Sequence, residues 1–313
     1  MSDQKRDGFY LEQYKSVQGN ENWFQNLKFL GKGGNGTTFL VISTSGKLRG
    51  GLFALKVFHM MSSERRQERF LEEARFLKNN SHPNLMRQLD EGTYSGHPFV
   101  VQDYMPKTLY QEIDGKPIDF GKALLFSCQL LSALNSLHTE SLIHRDIKPQ
   151  NIFINNLNAF IGDFGLIKKV EKITDSDDLS DFNGYFAMPR YYRTPELISY
   201  AKKESGLDLR SDIFQLGLVI AQMFTGRNPL INSQDVYSPI ELEKIGHIEW
   251  KHGGLVAKTI KEMTSMNPNS RCTIDSALSR FTGLVETYFK DHEEFPLVTT
   301  LLRGNASADA SAS

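Results

Sequence analysis

The chain has only two cysteines, Cys128 and Cys272, and neither belongs to a Cys-x-x-Cys pair. That excludes a disulfide framework and a cysteine-built zinc site, and it fits two reduced thiols in a cytosolic protein. No run of about 18 apolar residues occurs, so no membrane-spanning helix is encoded. The longest apolar stretch, Leu216–Phe224, is too short and contains Gln222. The formal net charge is −1, so no global field draws the protein to nucleic acid or an anionic membrane. The start, Met-Ser-Asp-Gln-Lys-Arg, carries no signal-peptide core and no glycine for myristoylation. These absences lead to the expectation of a cytoplasmic globular protein. It has 313 residues, of which 40% are hydrophobic and 23% charged, enough for one large domain or two lobes.

What is present is concentrated in one stretch. His144–Asn151 reads His-Arg-Asp-Ile-Lys-Pro-Gln-Asn and holds a carboxylate, two cations and an amide between apolar anchors. Few reactions require that set on one rigid loop, and phosphoryl transfer from a metal-bound nucleotide to a hydroxyl is the foremost.

Taken in order, residues 1–21 form a polar arm of mixed charge. Asn26–Leu30, Thr37–Ser43 and Gly51–Phe58 have strand character and are joined by glycine turns. Gly31, Gly33 and Gly36 fit G-x-G-x-x-G, whose bare backbone amides close over phosphates. A strand follows this motif, which points to a hairpin lid and away from a dinucleotide-binding turn. Lys56 sits in an otherwise apolar strand and requires a partner. A helix is expected over Ser63–Lys78, with Glu68, Glu72 and Glu73 as candidate partners. Strands are expected at Leu85–Glu91 and Pro98–Gln102. Helices are expected at Phe120–His138, from its 3–4 apolar spacing, and at Asp212–Thr225, apolar on nearly all sides. An acidic patch lies at Asp175–Asp181, and the end from Gly304 is Ala/Ser-rich.

The order and spacing of Gly31–Gly36, Lys56, Glu73, His144–Asn151, Asp163-Phe164-Gly165 and Thr194-Pro195-Glu196 resemble the protein kinase superfamily over residues 24–285. The resemblance implies an α+β, bilobal fold. A five-stranded antiparallel sheet with one helix would form the N-lobe (22–102). A hinge (103–108) would lead to a mainly helical C-lobe (109–290) and a tail (291–313). It implies ATP in the cleft, with Mg²⁺ or Mn²⁺ as cofactor and a protein as acceptor.

The same resemblance implies the roles. Asp146 would accept or orient the acceptor proton, Lys148 would neutralise the transferring phosphoryl, and Lys56 would bind phosphates while held by Glu73. Asn151 and Asp163 would hold the metals. The nucleotide would lie on Leu30, Gly31, Lys32, Gly33, Gly34, Asn35, Gly36, Thr38, Ala54, Lys56, Gln102, Asp103 and Met105. Arg145 would receive a phosphate placed on Thr174, Ser176 or Ser180. His144 and Ile147 would pack, Asp212 would support the loop, and Glu196 would pair with Arg271. Lys148-Pro149 resembles the serine/threonine branch. A scaffold that binds nucleotide without transfer and a small-molecule kinase of related fold are the competing readings. Departures are Gln102, usually apolar or Thr, Thr38 for valine, Thr194 for alanine, and Pro189 for threonine. The proline puts the manner of substrate docking in question.

Overall fold

Alternation of buried and exposed residues in the first third of the chain builds an antiparallel sheet. The computed structural model describes residues 10–33, 36–58, 76, 81–164, 166–169, 191–231 and 235–291. Among them the chain divides into two units, Met1–Lys107 with Phe160–Ile167 and Thr108–Ala159 with Lys168–Ser313.

The first unit holds β1 (Ser16–Gln18), β2 (Trp23–Lys32), β3 (Gly36–Ser43), β4 (Leu52–Phe58), β5 (Gln88–Tyr94) and β6 (His97–Asp103). They form one sheet in the order β1-β2-β3-β4-β6-β5. Phe39, Leu55 and Val101 are register partners across β3, β4 and β6, as are Val57 and Phe99 across β4 and β6. These residues join Leu11, Val17, Phe24 and Val41 in a fully apolar core on one face. At about 25 cal/mol per Å² of apolar area, this burial is the main term holding the unit together.

Six strands stand where five were expected. The extra one comes from the segment assigned to a polar arm. Only Val17 of Ser-Val-Gln is buried, so the strand is too short to show alternation in sequence. Leu11, before it, is buried too, and Asn26 Nδ2 donates to its carbonyl at 2.9 Å. The β5 strand also starts later than expected. Instead of pairing in the sheet, Leu85 bridges to Ile161, with Met86 N donating to Ile161 O at 2.9 Å and Ile161 N to Asn84 O at 2.9 Å.

The sheet curls until its edges approach. Asn20 N donates to Glu91 O at 2.8 Å. Beside this contact the buried Asp90 carboxylate accepts from the backbone N–H groups of Asn20 (3.0 Å) and Asn22 (2.9 Å) and from Asn22 Nδ2 (3.0 Å). A Cβ on Gly19 would stand 2.6 Å from Asp90 Oδ2, so the turn needs glycine there.

The second unit holds β7 (Lys107–Thr108), which spans the boundary between the units, α1 (Leu109–Ile113), α2 (Phe120–Thr139), β8 (Leu142–Ile143), β9 (Ile152–Asn155), β10 (Asn158–Ile161, ending in the first unit), β11 (Lys168–Lys169), α3 (Pro195–Ala201), α4 (Arg210–Thr225), α5 (Gly253–Met263) and α6 (Ile274–Asp291). Asp119 caps α2 by accepting from Lys122 N at 2.9 Å. Helix α2 packs along α6, and α4 is buried on nearly all sides. Among the described residues no helix is long and apolar enough to cross a membrane. The helix expected over Ser63–Lys78 lies outside the described residues except for Phe76, which is helical and buried.

Two predictions follow from this packing. Asp90→Ala leaves several backbone N–H groups without their acceptor, and should lower unfolding stability in urea by about 3 kcal/mol. Burial pushes the Cys128 thiol up to about 12, while burial and then Glu262 raise the half-buried Cys272 less far. Only thiolate reacts, so alkylation at pH 8 should label Cys272 slowly and Cys128 only after denaturation, as read by peptide mass spectrometry.

Candidate functional site

In the first unit the glycine-rich segment joins β2 to β3. The β2–β3 register shifts between Phe29 and Gly31, and Gly33 N donates to Gly36 O at 2.8 Å, which turns the chain back. A Cβ on Gly36 would lie 2.6 Å from Val57 O, so only glycine fits against β4. Gly34 and Asn35 lie outside the described residues. Leu30 and Lys32 are exposed, and Gly31 and Thr38 are half-buried.

Lys56 stands on β4 between Thr38 and Val100 as register partners. Its Nζ reaches Asp163 Oδ1 at 3.3 Å. Asp163 has φ of +58°, a left-handed backbone that turns the chain just before Phe164. Phe164 is buried and packs on Phe76 with ring centroids 5.0 Å apart, anchoring that turn. Glu73, the expected partner of Lys56, lies outside the described residues. Ala54 faces Gln102 in register, and Gln102, Asp103 and Met105 are half-buried. Asp103 has its own tether: Arg87 Nε and the NH2 nitrogen (Nη2) reach its two oxygens at 2.9 and 3.0 Å. The hydrogen bond and charge of Asp103 raise the Arg87 pKa further. Sequence reasoning missed this bidentate pair, since sixteen positions separate partners that only the sheet brings together.

In the second unit His144–Asn151 forms a tight loop around Asp146. Lys148 Nζ donates to both carboxylate oxygens, at 2.9 and 2.7 Å. Asn151 Nδ2 donates to Asp146 O at 2.9 Å and to Oδ2 at 2.8 Å. His144 and Ile147 are buried.

The loop is fixed from beneath by α4. Asp212 Oδ2 accepts from His144 N at 2.7 Å, and Oδ1 accepts from Arg145 N at 2.9 Å. His138 Nε2 lies 3.3 Å from the same Oδ2. Arg145 is buried and holds φ of +69°, a strained conformation that these bonds maintain. Gln215, one helical turn further, works alongside Asp212. Its Oε1 accepts from Ile147 N at 2.9 Å, and its Nε2 donates to Arg145 O at 3.2 Å and Tyr192 O at 2.9 Å. Sequence reasoning missed Gln215. The signal was two polar residues at i and i+3, Asp212 and Gln215, within the buried part of the helix.

Two further ties involve α3. Thr194, read as a departure, caps α3 by accepting from Leu197 N at 3.0 Å, and its hydroxyl meets Ser211 Oγ at 2.8 Å. An alanine could do neither. Glu196 and Arg271 form a buried bidentate pair, with the second bond at 3.1 Å, and the guanidinium lies 4.8 Å from the Phe214 ring centroid. Thr174, Ser176, Ser180 and Pro189 lie outside the described residues.

The amino-acid sequence that builds this loop and its supports matches a known family. The family model described as a protein kinase domain matches residues 24–281, and the chain belongs to the protein kinase family. It is 29% identical over 274 residues to the serine/threonine-protein kinase pkn2 of Myxococcus xanthus, covering 82% of this chain and 32% of that protein. It is 28% identical over 226 residues to the mitogen-activated protein kinase spk1 of Schizosaccharomyces pombe, covering 70% and 58%. It is 31% identical over 232 residues to an L-type lectin-domain containing receptor kinase of Arabidopsis thaliana, covering 71% and 32%. The chain therefore spans from about a third to three fifths of the length of these relatives.

Gln215→Leu would strip partners from the Ile147 N–H and from the Arg145 and Tyr192 carbonyls. It should cost about 2–4 kcal/mol of unfolding free energy in denaturant titration, since each lost partner leaves a buried backbone group unpaired.

Proposed function

We propose that this chain is a serine/threonine protein kinase domain, transferring the γ-phosphoryl of Mg-ATP to a protein hydroxyl. The observation that carries the proposal is the grip on Asp146. Its carboxylate is held by Lys148 and Asn151 on a loop that α4 fixes from beneath. Positioning and charge neutralisation supply most of the catalysis in phosphoryl transfer, and this loop is built for both.

Asp146 orients the acceptor hydroxyl and takes its proton late in the transfer. Lys148, already within hydrogen-bond distance of Asp146, also faces the transferring oxygens. Lys56 binds the α- and β-phosphates, with Glu73 as its support. The glycine segment from Leu30 to Gly36 covers the phosphates, and Thr38, Ala54, Gln102, Asp103 and Met105 surround the base. Each residue by itself offers an oxygen donor suited to a hard cation: a carboxylate at Asp163, its side chain 47% exposed, and the side-chain amide of Asn151. These two residues would hold Mg²⁺, with Mn²⁺ the alternative, and the ion would supply charge neutralisation on the phosphates.

The serine/threonine choice is supported by Lys148-Pro149 and by the names of relatives such as pkn2. Arg145 is the receiver for a phosphate on Thr174, Ser176 or Ser180, each able to bring about −1.5 to −2 charge. A protein is the acceptor, and the cytoplasm is the expected compartment.

The test is labelled Mg-ATP with a generic protein substrate, wild type beside Asp146→Ala and Lys56→Met. Wild-type transfer to serine and threonine should fall by about a thousandfold or more in Asp146→Ala. No wild-type transfer, autophosphorylation included, refutes the enzyme. Phosphotyrosine as the product refutes the serine/threonine assignment.

A further inference from the structure

The sheet face opposite the apolar core carries two rows that mix polar and apolar residues. Thr38, Lys56, Val100 and Glu91 are successive register partners across β3, β4, β6 and β5. The adjacent row is Leu40, Ala54, Gln102 and Gln88. Two glutamines thus stand directly opposite each other on neighbouring strands. The ladder shifts register just after this pair, between Gln88 and Asp90, and opposed residues in a regular ladder place their Cβ atoms about 5 Å apart on one face.

Their hydrogen bonding is incomplete. Gln88 Nε2 donates to Glu91 Oε2 at 2.9 Å. A carboxylate only accepts, so Glu91 decides which end of the Gln88 amide is nitrogen. The other end, Gln88 Oε1, is buried and has no hydrogen-bond partner. Gln102 is half-buried, and among the described residues its side-chain amide makes no hydrogen bond. Gln102, the register partner of Gln88, carries an NH₂ group that a turn of its amide would aim at the orphaned oxygen, although no hydrogen bond joins the two side chains in this structure. Turning Nε2 toward Gln88 presents Gln102 Oε1, an acceptor, on the side of Ala54.

We infer that Gln88 orients the Gln102 amide so that the base site offers a hydrogen-bond acceptor, selecting a 6-amino purine over a 6-oxo purine. The inference rests on the kinase assignment, which puts the purine beside Ala54 and Gln102. An adenine amino group donates to Gln102 Oε1. A guanine carbonyl meets it acceptor to acceptor, and both groups go unpaired, which weakens binding about tenfold or more. Gln88 acts through Gln102 and is a positioning residue.

The experiment measures dissociation constants for Mg-ATP and Mg-GTP by calorimetry. The proteins are wild type, Gln88→Met, Gln102→Glu and the double variant. Wild type should bind GTP about tenfold or more weakly than ATP. Gln88→Met frees the Gln102 amide to present either end, and the ratio should fall at least about threefold. Adding Gln102→Glu should restore it, because a carboxylate accepts at both oxygens. A Gln88→Met ratio equal to wild type, in protein that melts at the wild-type temperature, overturns the inference. Should Gln88→Met not fold, Gln102→Glu alone decides: a ratio at or above wild type supports the inference and a fall overturns it. Wild type that binds neither nucleotide overturns the kinase assignment as well, whereas ATP binding with an unmoved ratio overturns this inference alone.

Discussion

The carboxylate of Asp212 is fully buried in α4, and both its oxygens accept backbone N–H groups of the His144–Arg145 turn. A charge in an apolar helix is expensive unless every lone pair finds a donor. Here the donors come from the loop, so the loop cannot leave its place without exposing that cost. Gln215 adds the same constraint at Ile147, Arg145 and Tyr192. Asp146 is therefore held by the second unit's most buried helix, and the accuracy of its position follows from the rigidity of that helix.

The two units solve the same problem with different materials. The second unit fixes the loop that carries Asp146 through a buried helix. The first fixes Lys56 through register in a sheet, with neighbours on both sides that cannot slip without turning the apolar core outward. Asp163 is placed by a third device, a left-handed residue between the Ile161 bridge and the Phe164 anchor.

The sequence displayed the local motifs well and their supports poorly, and the reason is physical. Asp146, Lys148 and Asn151 bond to one another within one short loop, so their spacing survives in one dimension. Lys56 and Asp163 are far apart in sequence, and they could be assigned only because each sits inside its own recognisable local motif. The supports are different. Arg87 and Asp103, Asp90 and the Asn20–Asn22 turn, and Gln215 and Ile147 are ordinary residue types that gain meaning only from distant partners. The strand at Ser16–Gln18 escaped for a related reason, since one buried valine gives no alternation to detect. Thr194 looked like a substitution against pattern, while its helix-capping role depended on knowing where α3 begins.

The curl that brings the Asn20 turn against Glu91 also has a consequence outside the chemistry. A sheet that ends in open edges offers unpaired N–H and C=O groups, a template on which another chain can add a strand. In this protein the two outermost strands lie near each other, and Asp90 occupies the amides of the turn between β1 and β2. That part of the surface is thereby withdrawn from strand addition.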